Sequence, residues 1–209
     1  MTFAAAPLDG VTLDRDAAEP RWRATYAPGD AAPAARLFGA CDAAGVATAF
    51  GERDGDVLLG RAAASEAPHV LGAVVRNRAA GAFAARYGVE VGRDLDPRVV
   101  EWRLEVAALG RPLCNDATAV AIGAVDEHDL EGAWEASVAV NEALGPWLEA
   151  RGLDLAELAL RFARGEDGAW VVLGPFTPAS LTLWDLDADE DATPVPRDVA
   201  AARILEDPA

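Results

Sequence analysis

One stretch organises the rest of the chain: Glu157-Leu-Ala-Leu-Arg-Phe-Ala163, turning through Arg164-Gly-Glu-Asp-Gly168 into Ala169-Trp-Val-Val-Leu173. Two apolar runs joined by a charged, glycine-bearing turn read as a β-hairpin. On a strand, residues two apart share a face. Leu158, Leu160 and Phe162 therefore belong to a core, and Glu157, Ala159 and Arg161 belong to the opposite, polar face.

Before the hairpin, Leu130–Arg151 carries Trp134, Val138, Leu144 and Leu148 near a helical period and ends at Gly152. Gly145-Pro146 is expected to bend or break that helix, since proline removes a backbone hydrogen bond. Further upstream, Val99–Val106 is a strand with Val100, Trp102 and Leu104 alternating against Glu101, Arg103 and Glu105. Gly72–Arg78 is a second strand, and Ala79–Tyr87 is a short helix closed by Gly88.

Nearer the N-terminus, Arg21–Tyr26 alternates as a strand and stops at the turn Ala27-Pro-Gly-Asp30. Ala34–Ala44 reads as a helix with Leu37, Phe38 and Cys41 on one face and Gly45 as its stop. Asp54-Gly55 marks a hairpin before Val57. The division expected is a small β-rich lobe over 1–66 and an α+β lobe over 67–209, with antiparallel sheets and packed helices.

Composition narrows the function classes. The 209 residues are 52% hydrophobic and 25% charged, an ordinary globular balance. Net charge is −17, which repels phosphate backbones and anionic membranes, so neither nucleic acid nor a membrane is an expected partner. All eighteen basic residues are arginine, so no lysine chemistry is available. Cys41 and Cys114 have no metal-ligand spacing, and with no signal peptide read in Met1–Pro7 they suit a cytoplasmic setting. The acidic run Leu186–Ala192 reads as a solvated loop and not a metal site.

Four stretches, taken in order, resemble the SAICAR synthetase family. They are Val74–Gly81 with Phe83–Gly88, Leu109-Gly-Arg-Pro-Leu-Cys-Asn-Asp116, Val140–Leu144 with Leu148–Gly152, and Leu173–Asp185 with its Leu183-Trp184-Asp185. The resemblance covers roughly half the chain, and the N-terminal part matches only through Gly10, Tyr26 and Ala44-Gly45-Val46. It implies a two-lobe α+β fold related to ATP-grasp ligases and kinases, nucleotide between the lobes, and ATP- and Mg²⁺-dependent amide formation.

Against that pattern the chain departs at the chemistry. The family's glycine turn with two lysines is Gly10-Val-Thr-Leu13, and its long phosphate-covering loop is shortened to Asp30–Arg36. The Asp, Lys and Glu of its catalytic strand are Glu157, Ala159 and Arg161, and the facing Asp-Glu pair is Gly174-Pro175. Arg161 would repel a divalent cation. The glutamate of the family's "PLE" is Gly72, its serine is Ala82 and its arginine before the tryptophan is Thr182.

Glu157, Asp116 and Arg161 are thus the candidate catalytic residues, the acids for proton transfer and the arginine for an anion. Arg76, Asn115, Thr118 and Thr182 are the candidate substrate contacts, Arg76 having an internal acid as its alternative partner. Neither a metal nor a cofactor is expected. His69, His128 and Cys114 lack motif partners, and Trp102 and Trp184 read as core aromatics.

Three functions follow. The leading one is an ATP-independent enzyme acting on a less charged small molecule in the cleft, in bacterial specialised metabolism. The others are a catalytically dead scaffold with a protein or homo-oligomeric partner, and a divergent ligase.

Overall fold

A computed structural model describes residues 5–15, 22–60, 68–165, 167–187 and 193–207. The acidic run lies outside these residues from 188 to 192, as does the start of the N-terminal stretch.

The first sheet has the order β1-β2-β4-β3, built from β1 (Val11–Arg15), β2 (Trp22–Tyr26), β3 (Phe50–Asp54) and β4 (Val57–Gly60). Its pairings are antiparallel, and Asp54-Gly55 turns β3 into β4. Between β2 and β3 runs α1 (Ala31–Ala43), ending at Gly45, whose φ of 81° is a left-handed value. The helix starts earlier than the expected Ala34, so most of Asp30–Arg36 is helix and not a shortened loop. Pro33 is tolerated because its missing N–H falls in the first turn.

A larger sheet contains β5 (Leu71–Arg78), β6 (Asp94–Leu104), β7 (Leu113–Cys114), β8 (Leu153–Arg164), β9 (Trp170–Gly174) and β10 (Leu181–Asp185). The path is β10-β8-β5-β6-β7, with β9 paired to β8, antiparallel throughout. One face carries Leu71, Ala73, Val75, Leu158, Leu160 and Phe162, all essentially buried. Against it packs α4 (Glu127–Glu149), through Leu130, Val140, Leu144 and Leu148.

Of the bend or break expected at Gly145-Pro146, the break does not occur, and α4 runs through Pro146. Glu142, whose carbonyl loses its partner, is exposed, so water can take the bond. Shorter helices are α2 (Gly81–Tyr87), α3 (Asp116–Ala121) and α5 (Arg197–Leu205). The apolar cluster runs from Leu8 and Phe38 through Phe176 to Ile204 and joins both sheets. Among the described residues, no helix is long and apolar enough to cross a membrane.

Candidate functional site

The polar face of the larger sheet holds rows of charge. Arg76 on β5 is the register partner of Glu157 on β8, which pairs in turn with Thr182 on β10. Arg76 donates to Glu157 and, through Nε, to Glu101 Oε2 at 2.7 Å. Its guanidinium lies 5.2 Å from the Phe83 ring centroid. The arginine is 5% exposed and so depends on both carboxylates to offset its burial. Burial raises the Glu157 carboxyl above its ordinary value, Arg76 opposes that rise, and Glu101 adds to it.

Four residues along β8, Arg161 lies between Gly72 on β5 and Gly174 on β9. It is 2% exposed. Its Nη2 donates to the Ala6 carbonyl at 2.9 Å and its Nη1 to the Pro7 carbonyl at 3.2 Å. Glu105, fully buried, supplies the countercharge: its Oε2 lies 3.4 Å from Arg161 Nη1, and its Oε1 accepts from Arg103 Nε at 2.6 Å. A Cβ at Gly72 would sit 2.8 Å from that same Oε1. The space beside Gly72 is thus filled by a carboxylate arriving from just past the end of β6.

Residues 6–10 lie over this face. Arg111 clasps Asp9 through Nη1 at 2.6 and 2.7 Å, and Thr177 Oγ1 donates to the Asp9 carbonyl at 3.3 Å. The buried Tyr26 hydroxyl donates to the Pro175 carbonyl at 2.9 Å, tying the smaller sheet to the end of β9. Gly10 has a φ of 75°, and a Cβ there would be 3.7 Å from Thr177 Cγ2. The glycine turn thus rests on the segment after β9.

Arg76, Glu157 and Thr182 are brought together, with Arg161 along the same face. Asn115, Asp116 and Thr118 are placed elsewhere. Trp102 shares its row with Ala73 and Leu160, the α4 side of the sheet, and its Nε1 donates to Asp116 Oδ1 at 2.6 Å. Asn115 caps α3, accepting from the Thr118 N–H at 2.9 Å. Trp102 and Trp184 are core residues at 2% and 3% exposure. His69 accepts the Leu71 N–H at 3.1 Å and meets Trp170 edge-on, and burial lowers its pKa. Burial and Asp116 together raise Cys114, which makes it a poor nucleophile.

Glu101, Arg103, Glu105 and Arg111 were not among the expected site residues. The alternation of Glu101, Arg103 and Glu105 against Val100, Trp102 and Leu104 already placed the first three on one face. What it lacked was any sign that this face meets Arg76 and Arg161. Among the described residues, no three His, Cys, Asp or Glu side chains converge to hold a metal. Where the resemblance implies phosphate and Mg²⁺ partners stand Leu13, Gly174 and Arg161, the last paired with Glu105, and these three do not offer the oxygen ligands that Mg²⁺ takes.

The SAICAR synthetase family profile matches residues 33–200, reaching well into the N-terminal region where the sequence resemblance is faint. The phosphoribosylaminoimidazole-succinocarboxamide synthase of Deinococcus deserti is 37% identical over 156 residues, 75% of this chain and 65% of that protein. The Deinococcus radiodurans protein of the same name is 36% identical over the same shares. The chain thus matches just under two thirds of these relatives' length. A solved structure described as SAICAR synthetase (Type-2) in complex with ADP superposes with a TM-score of 0.84 at 18% identity, covering 99% of each chain. At that identity the likeness shows the fold.

Proposed function

The chain belongs to the SAICAR synthetase family, and from that premise we propose that this member no longer couples ATP to amide formation but works without ATP on a less charged small molecule. One observation carries the reading: Arg161 stands opposite Gly174, neutralised by Glu105 and roofed by the carbonyls of Ala6 and Pro7. Magnesium takes oxygen ligands, usually including one or two carboxylates, and this position offers a fixed cation instead. The surviving chemistry is proton transfer at Glu157. Its raised carboxyl suits holding and releasing a proton nearer neutrality, while Arg76 orients it and Thr182 stands beside it. Bacterial specialised metabolism is the setting that suits such a protein.

The test is calorimetric titration of the protein with ATP and magnesium. No heat and no thermal stabilisation are expected, and micromolar binding would overturn the proposal. Glu157→Gln is expected to abolish turnover of the true substrate; unchanged turnover would remove Glu157 from the mechanism. Co-purification of a stoichiometric protein partner, with no turnover, would favour a scaffold role instead.

A second reading, a divergent amide ligase, is favoured by the name that the curated relatives share. Magnesium-dependent ATP consumption in the presence of a carboxylic acid and an amine would establish it.

A further inference from the structure

A groove of about 760 Å³ opens on the α4 side of the larger sheet, away from Arg76 and Glu157. Trp102, Val120 and Leu130 form its floor, and α3 and α4 form its walls. Trp134 stands at its rim, 49% exposed, an unusually large aromatic to leave in water. Its volume falls within the range of small-ligand sites.

Its charge is of one sign. Asp116, Glu127 and Glu131 line it, and no arginine does. Among the described residues, none of the three has an ion-pair partner. Trp102 Nε1 donates to Asp116 Oδ1, and Asp116 lines the groove. Glu127 and Glu131 are one turn apart on α4 and repel each other. The N-terminus of α4 favours Glu127 in its first turn, but the effect fades by Glu131. Trp134, three residues further, shares this face of the helix.

Carboxylates without countercharge beside an exposed indole and an apolar floor match a cation carried on an apolar body. The carboxylates attract the charge, and the indole face adds cation–π attraction. We infer that this groove binds a small organic ammonium ion, its nitrogen among Asp116, Glu127 and Glu131 and its apolar part on Trp134 and Leu130. Anionic ligands are repelled by the same three carboxylates. The site does not depend on the chemistry proposed for Glu157, since it lies on the other side of the sheet.

The test is calorimetry of the full chain with phenylethylammonium and, in parallel, with uncharged 2-phenylethanol. The ammonium is expected to bind about tenfold more tightly than the alcohol, with affinity falling as salt rises. Glu131→Gln and Trp134→Ala should each weaken it by about tenfold. Both side chains are exposed, so neither variant should unfold, and matching circular dichroism melts would verify this. Equal binding of ammonium and alcohol, no ammonium binding at millimolar concentration, or unchanged affinity in both variants would each overturn the assignment.

Discussion

Arg161 faces Gly174 across the β8–β9 ladder, and Gly174 has no room for a side chain. Its φ is 81°, and a Cβ there would lie 2.8 Å from the Phe38 ring. Phe38 in turn packs on Phe176 with ring centroids 4.6 Å apart. Gly174, where the resemblance implies an acid, instead lies against an aromatic contact between α1 and the segment after β9.

Gly174→Asp is therefore expected to destabilise the protein by about 2–4 kcal/mol, combining a left-handed backbone with overpacking. It should not restore magnesium binding. Urea unfolding measures the first effect, and calorimetry with Mg²⁺ the second. A variant as stable as the parent would show that the Phe38 contact is not tight.

Arg161→Met should cost about 3 kcal/mol, because Glu105 would remain buried with its countercharge reduced. Adding Glu105→Gln to Arg161→Met is expected to recover part of the loss. A double variant no better than the single one would place the cost in packing and in the Ala6 and Pro7 carbonyls, not in the charge pair.

Removing the Tyr26 hydroxyl leaves the Pro175 carbonyl unsatisfied in a buried setting. Tyr26→Phe should cost about 1–2 kcal/mol by chemical denaturation. A neutral result would mean that water replaces the hydroxyl and that the sheets are joined by apolar packing alone.

Stability against pH separates two half-buried groups, Glu157 and His69. The Glu157 carboxyl is raised, so the folded state holds its proton more tightly than the unfolded one. Its contribution is present below 4.5 and is lost as pH rises through the raised value. His69 is lowered, so the unfolded state binds the proton more tightly, and stability falls as pH drops below 6.5. Denaturation midpoints across this range should lose the first slope in Glu157→Gln and the second in His69→Gln. If either slope persisted in its variant, that group would not be its source.

Much of the architecture was legible because sheet periodicity is local. Alternation along 157–163 and 99–106 assigned each side chain to a face without any partner being known, and the described strands keep that assignment. The start of α1 lies earlier than its periodicity indicates, and α4 is not broken at Pro146. At α1 the helix takes in Pro33, whose missing N–H falls in the first turn, and at α4 the bond that Pro146 removes lies beside exposed Glu142, so in both places proline costs little.

Residue types alone fix which groups are on hand for chemistry. The chain has no lysine, it has Gly174-Pro175 where the resemblance implies two acids, and it has Arg161 on the strand where the resemblance implies catalytic residues. Where the charged side chains find partners is set by the tertiary fold. Arg161 meets Pro7 across 154 positions of chain and Arg76 meets Glu157 across 81, while Asp116 goes to the far side of the sheet. Such partnerships depend on strand order and register. These are set by how distant apolar faces pack together, and no local period encodes them.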